Sequence, residues 1–288
     1  MAITVESLLN EARNHLRDVD GEGRLDAEIL LSHALARPRS FLRAWPEFVP
    51  AEAEAARFGA LLERRRGGEP LAYIVGEREF WSLRLKVNRH TLIPRPETEL
   101  LVEQALALIP ADADWTIADL GAGSGAIALA IASERPGCRV IATDISRRAL
   151  AAARANAADA GISNVEFRHG SWLAPLGDIV CDLIVSNPPY VARRDAQSSQ
   201  SELAFEPQRA LVAGETGLEA LAKIAARAPH SLAPGGTLML EHGFDQRAAL
   251  EITLSQVGYE KIRCCRDLSS HDRVTVAIWP GQEARLER

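Results

Sequence analysis

The sequence predicts an α/β protein: a mostly parallel sheet covered by helices, preceded by a helical region. Three observations carry that expectation. The first 70 or so residues place apolar side chains at helical spacing and show no strand pattern. From Trp115 onward, short apolar runs alternate with alanine-rich stretches, the signature of β and α elements in turn. Between the first such run and the stretch after it lies a glycine loop, "IADLGAGSGAIALA".

In order along the chain, "VESLLNEARNHL" sets Leu8, Leu9, Ala12 and Leu16 on one face, and "LDAEILLSHAL" does the same with Leu25, Ile29, Leu30, Ala34 and Leu35. After Pro38, Pro46 and Pro50 a third helix is expected from Ala51 through "LLERRRGG", ended by Gly67, Gly68 and Pro70. The Arg64–Arg66 run reads as a solvated helix end, favourable at the negative pole of the helix. "FWSLRLKVNRHTL", from Phe80, alternates apolar and polar residues and reads as a hairpin with "VNRHT" as its turn. "IPRPETELLVEQALALI" then opens a helix, with Pro96 in its first turn and Glu97 and Glu99 at its positive end. Strands are expected at "WTIADLG", "RVIATD", "VEFRHG", "CDLIVSNPP", "GTLMLEHG" and "RVTVAIW".

Composition narrows the function class. With 47% hydrophobic and 25% charged residues the chain reads as an ordinary folded protein. The start of the sequence shows no basic segment followed by an apolar stretch, and no run is long enough to span a bilayer, so a cytoplasmic protein without a membrane partner is expected. Cys138, Cys181, Cys264 and Cys265 form no CxxC pair and read as reduced thiols. Through residue 100 there are 15 basic against 16 acidic residues, and 18 against 23 thereafter, for a net charge of -6. No basic region stands out for nucleic acid, and no direct nucleic-acid binding is expected. No metal site is expected either: there is no H-E-x-x-H, and His242 beside Glu241 reads as structural. Ser124 lacks the glycine frame of a hydrolase nucleophile.

Gly121, Gly123 and Gly125, with Ala122 and Ser124 between them, let the backbone turn sharply and let a ligand approach the main chain near a helix N-terminus. Asp144 ends the next strand, 23 positions after Gly121, where an acid takes the hydroxyls of a bound ribose in doubly wound folds. Together they point to an adenosine-bearing cofactor. They do not say which, because "GAGSGA" also satisfies the dinucleotide pattern.

"IVSNPPYVA", Ile184 to Ala192, adds the second half of a site. A buried strand runs into two prolines that cannot extend a sheet ladder. Asn187 offers a side-chain carbonyl and Pro188 a backbone carbonyl, while neither Pro188 nor Pro189 has an N–H to compete. Two acceptors at a rigid corner suit a nitrogen with two hydrogens, and Tyr190 adds an aromatic face for a planar group. A planar –NH2 is a poor nucleophile because its lone pair is delocalised. Holding both hydrogens can aim that electron density at an electrophile, such as the methyl group of a sulfonium. The corner alone reads only a conjugated –NH2. A glutamine amide and the exocyclic amine of a base both qualify. A nicotinamide oxidoreductase would use the glycine loop and Asp144 but would leave Asn187–Tyr190 without a task.

These motifs resemble those of S-adenosylmethionine-dependent methyltransferases with an Asn-Pro-Pro-Tyr motif, and more closely the peptide chain release factor N(5)-glutamine methyltransferases. The resemblance covers nearly the whole chain: "RLDAEILLSHAL", "PLAYIVGEREFWSL", "TLIPRPETELLVEQAL", "DLGAGSGAIALA", "VSNPPYV", "FEPQRALVAGETGLE" and "LEHG". It implies a Rossmann-like, seven-stranded methyltransferase domain over residues 96–288, a β-hairpin connector over 77–95 and a small N-terminal helical domain over 1–76 that docks the protein substrate. The implied reaction is methylation of the glutamine in the Gly-Gly-Gln motif of class I release factors, in translation termination, yielding S-adenosylhomocysteine. By position, Gly121 to Gly125 and Asp144 would line the cofactor, Trp172 would sit by its adenine, and Asn187 to Tyr190 would hold the glutamine amide beside it. Ser171, before Trp172, stands where relatives often carry Asp.

Overall fold

The computed structural model describes residues 3–16, 23–198 and 202–281. The chain divides into two compact units, Met1–Gly76 with Ser201–Phe205, and Glu77–Gln200 with Glu206–Arg288.

The first unit is helical: α1 (Val5–His15), α2 (Gly23–Leu35), α3 (Arg39–Ala44), α4 (Glu52–Arg66) and α5 (Leu71–Val75). Its core joins Leu8 and Ala12 of α1 to Leu30 and Leu31 of α2 and to Phe58 and Leu62 of α4. The short α3 and α5, which the sequence reading did not include, each follow a proline cap, Pro38 and Pro70, and are too brief to show a period. The expected solvated end of α4 needs a correction. Phe58, Leu61, Leu62 and Arg65 fall on one helical stripe, so Arg65 is buried and its Nε lies 2.6 Å from Asp26 Oδ2. Glu28, also buried, is shared by Arg39, Arg43 and Arg24; the Arg39 guanidinium above all holds its carboxyl down at about 2.

The second unit opens with a hairpin, β1 (Glu77–Phe80) and β2 (Leu83–Lys86). Its turn is Trp81–Ser82, with Phe80 paired to Leu83, and not "VNRHT" as expected from sequence. Both turn residues have positive φ, 51° and 59°, as a tight two-residue turn requires, yet neither is the Gly or Asn that would announce it. Asn88 to Thr91 form a separate turn. The remaining elements are α6 (Glu99–Leu108), β3 (Thr116–Leu120), α7 (Ala126–Glu134), β4 (Arg139–Asp144), α8 (Arg147–Asp159), β5 (Val165–His169), β6 (Cys181–Ser186), α9 (Arg193–Ser198), α10 (Gln208–Leu211), α11 (Glu219–Arg227), β7 (Leu232–Glu241), α12 (Arg247–Val257), β8 (Glu260–Arg266) and β9 (Asp272–Ile278).

Seven strands form one sheet in the order β5-β4-β3-β6-β7-β9-β8, parallel as far as β7 and antiparallel at β9 and β8. Strand alternation divides the core. Leu183 and Val185 join the face covered by α6 and α7, while Ile184 joins the face covered by α11 and α12. The hairpin adds Phe80 and Leu85 to the first face. β8 escaped the sequence reading because it is an edge strand, "EKIRCCR", with Lys261 and Arg263 exposed and no apolar run to mark it. Among the described residues no helix is long and apolar enough to cross a membrane.

β3 leads to β4 and β5 on one side and pairs with β6 on the other. That reversal of winding opens a crevice at the carboxyl ends of β3 and β6, where doubly wound sheets take their ligands. The glycine loop follows β3, and the Asn-Pro-Pro-Tyr corner follows β6.

Candidate active site

A cavity of about 410 Å³ lies at this crevice, lined at the loop by Gly121, Gly123, Asp144 and Trp172 and at the corner by Asn187 and Pro189. Its wall also includes Ser146 and Ser171, His90 and Leu92, Pro207 and Arg209, and Glu219 and Lys223 on α11. Sequence motifs far apart in the chain therefore meet around one space. Ala122, Ser124, Gly125, Pro188 and Tyr190 are not among its lining residues. Ala122 and Ser124 are buried within the loop.

The loop is held by its own hydrogen bonds. Gly121 and Ala122 N–H both donate to Thr143 O, at 2.8 and 2.9 Å, and Gly125 N–H donates to Ala122 O at 2.8 Å. Gly123 N–H donates to Asp144 Oδ2 at 2.9 Å, and Ser146 N–H to Asp144 Oδ1 at 2.7 Å. Each carboxylate oxygen of Asp144 thus keeps a lone pair for a hydroxyl. At the start of α7, Ala128 N–H donates to the wholly buried Asp119, at 3.1 Å. A diphosphate needs free amides at such a turn. Here the loop amides are largely committed and a carboxyl sits where the anion would be drawn, so the wiring fits a nucleoside better than a dinucleotide.

Gly121 has φ +81°, and a Cβ there would stand 3.2 Å from Trp172 Cζ3. Any side chain would be strained and would push against the indole. Trp172 itself has φ 50° and is held by Thr143 Oγ1–H donating to its carbonyl at 2.8 Å. It both packs against the core and faces the cavity.

The corner is built differently. β6 delivers Asn187 half-buried, with its Nδ2–H donating to Thr98 Oγ1 at 3.0 Å. Among the described residues no protein donor reaches Asn187 Oδ1. The amide therefore presents its acceptor. Thr98 adjoins Glu241 and favours its ionised form, and Tyr190 Oη–H donates to Glu241 Oε1 at 3.4 Å, while Glu241 Oε2 is buried without a hydrogen-bond partner among the described residues. Gln246 Nε2–H donates to Tyr190 O at 2.9 Å, fixing the corner from below. Burial, then the neighbouring Glu241, pushes the Tyr190 phenol up to about 12, and burial raises Glu241 to about 7. All peptide bonds here are trans.

Sequence reading did not assign Thr98, Glu241 or Glu206. Glu206 is buried, accepts from Ile93 N–H at 3.0 Å and pairs with Arg95, which ties the segment at Leu92 to the wall at Pro207. The only signal was their presence in "RPETE", "LEHG" and "FEP", without a chemical reason. His242 is held by Thr275 Oγ1 and Gly243 O, both at 2.8 Å.

A sheet of this order with its cavity at the switch point has the architecture of a Rossmann-like methyltransferase. A family model described as "Methyltransferase small domain" matches residues 96–214, and one described as "PrmC N-terminal domain" matches residues 7–76. A crystal structure of a methyltransferase from Pyrococcus furiosus shares the fold, with TM-score 0.51 over 69% of this chain and 89% of its own, at 18% identity. Sequence relatives are far nearer. A release factor glutamine methyltransferase of Vibrio cholerae is 48% identical over 281 residues, covering 96% of this chain and 97% of the relative. One of Pseudomonas aeruginosa is 49% identical over 257 residues, covering 89% and 92%. This chain belongs to the release factor glutamine methyltransferase family.

Proposed function

We propose that the protein transfers a methyl group from S-adenosylmethionine to the side-chain amide nitrogen of the glutamine in the Gly-Gly-Gln motif of class I peptide chain release factors. The observation that carries this reading is the fixed amide of Asn187: its nitrogen is committed to Thr98, and the residue lines the cavity, so its oxygen is the group left for a substrate. A corner that can only accept selects a substrate nitrogen that can only donate.

The cofactor fits the loop end. The Gly121–Gly125 loop approaches closely, Asp144 retains acceptors for ribose hydroxyls, and Trp172 offers a ring edge at Gly121 that a Cβ would fill. When bound, S-adenosylmethionine supplies an electrophilic methyl group. The chain's own part is to hold and orient. Asn187 Oδ1 and the Pro188 carbonyl would accept hydrogen bonds from the two amide hydrogens, drawing electron density onto the nitrogen and fixing its direction of attack. As the nitrogen gains the methyl group, one of these protons leaves it for water and the other stays hydrogen-bonded. Pro188 and Pro189 stiffen the corner and add no competing N–H. Tyr190 braces it through Glu241, while its ring packs against the core rather than lining the cavity.

The release factor, rather than a ribosomal protein or a base, is favoured by the names of relatives that match along the full length and by the absence of any basic excess. In this reading residues 1–76 dock the protein substrate, residues 77–95 connect, and residues 96–288 catalyse. The protein works in the cytoplasm without contacting nucleic acid. Incubation with labelled S-adenosylmethionine and purified release factor, followed by mass mapping, should place one methyl group on the Gly-Gly-Gln glutamine. Label on a ribosomal protein or nucleic acid instead would overturn the assignment.

A further inference from the structure

We infer that Thr98 and Glu241 are positioning residues that decide which end of the Asn187 amide faces the substrate. The inference rests on the reading of Asn187 given above and asks what holds that amide in its useful orientation.

Asn187 Nδ2–H donates to Thr98 Oγ1 at 3.0 Å, and Tyr190 Oη–H donates to Glu241 Oε1 at 3.4 Å. Glu241 Oε2 is buried with no hydrogen-bond partner among the described residues, and Thr98 is the neighbouring hydroxyl that favours the ionised acid, so the Thr98 proton has an acceptor waiting in Glu241. Thr98 is 4% and Glu241 1% exposed, so water is not at hand to replace a missing partner. A threonine hydroxyl has one proton, and an ionised carboxylate has none to give. With Glu241 ionised, both hydroxyls must donate to it. The Thr98 oxygen then has only lone pairs left for Asn187, which must answer with its NH2 group. Oδ1 is thereby turned to the cavity.

Protonation of Glu241 removes that constraint. The acid can donate to the Thr98 oxygen, releasing the hydroxyl proton for Asn187 Oδ1. The amide can then turn over and present N–H groups to a substrate that also has only N–H groups to offer. The groups facing Glu241 set where this happens. Burial opposes ionisation most, Thr98 favours it, Arg273 on β9 favours it, Glu97 opposes it and Tyr190 favours it. Arg273 is partly engaged elsewhere, 3.2 Å from Asp267, with another N–H donating to His242 O. His242 is itself kept neutral by burial. The outcome is a Glu241 proton lost near pH 7, where the enzyme would work.

The test measures single-turnover methylation of a release factor from pH 5.5 to 9 by wild type, Thr98→Val, Thr98→Ser and Glu241→Gln, with the affinity for S-adenosylhomocysteine and the melting temperature as checks on folding. Wild type should gain rate through a one-proton step near pH 7. Thr98→Val should lose about 10- to 100-fold in rate, lose the step and keep its affinity for S-adenosylhomocysteine within about twofold. Thr98→Ser, which restores the hydroxyl, should recover rate and step together. Glu241→Gln should abolish the step. If Thr98→Val keeps the wild-type rate and step, or if Thr98→Ser folds normally but is no better than Thr98→Val, the positioning role is wrong. A wild type that never methylates glutamine would instead overturn the function proposed for the site, which separates the two failures.

Discussion

Behind each end of the cavity lies a buried carboxylic acid, and the two are used differently. Asp119, one residue before the end of β3, lies behind the glycine loop; Glu241, at the end of β7, lies behind the Asn187 corner. Burial raises both to about 7. Asp119 accepts from the backbone, at Ala128 N–H, and so supports the start of α7. Glu241 accepts from the Tyr190 side chain and is favoured as the ionised acid by Thr98, both of which bear on the reacting corner. The same proton affinity therefore sets fold stability at one end and the orientation of a functional group at the other.

The widest separation between the ends should come from Asn187→Ala. It removes an acceptor aimed at the nitrogen while leaving every loop bond in place. Turnover should fall about 10²- to 10³-fold, with the affinity for S-adenosylhomocysteine, measured by calorimetry, nearly unchanged. Wild-type turnover in this variant would end the amide-holding role.

Asp144→Ala should show the opposite pattern with a smaller effect. It takes away the acceptor for Gly123 and Ser146 N–H as well as the free lone pairs. Loss of hydrogen bonds to a charged group corresponds to about 1.5–3 kcal/mol, read as roughly 10- to 100-fold weaker cofactor binding. Turnover at saturating cofactor should change far less. A large fall in saturated turnover with unchanged affinity would erase the distinction between the two ends.

How far this contrast was legible in the sequence depends on how local each part is. The loop and Asp144 follow successive strands, and Asn187–Tyr190 are contiguous, so spacing and residue type sufficed to propose two halves of a site. Six of the seven sheet strands carried apolar runs; β8, an edge strand built from "EKIRCCR", did not. The hairpin turn was misplaced because Trp81 and Ser82 adopt positive φ without a glycine. Thr98, Glu241 and Glu206 were silent for another reason. Their partners lie 89, 51 and 111 or more positions away, and only the folded sheet makes a threonine hydroxyl or a buried glutamate chemically meaningful. Arg65 was misread likewise, since its partner Asp26 is 39 positions distant.

Asp119 supplies the last prediction, in stability rather than rate. Its ordinary value is 3.8 and its folded value about 7, raised first by burial, opposed by the Ala128 N–H and raised further by Asp144. Below pH 3.8 both folded and unfolded chains hold the proton, and the group takes nothing from stability. As pH rises towards 7 the unfolded chain gives the proton up first, so stability is lost progressively until the folded acid also ionises. The full effect is on the order of 4 kcal/mol at most. Asp119→Asn keeps an acceptor for Ala128 and removes the titration. Compared with wild type in urea unfolding, the variant should gain relative stability between pH 5 and pH 8. Glu241 leaves a residual slope of the same sign in both proteins. A stability difference that stays constant across that range would mean that Asp119 is already ionised in the folded protein, and the two ends of the cavity would then differ in charge as well as in partners.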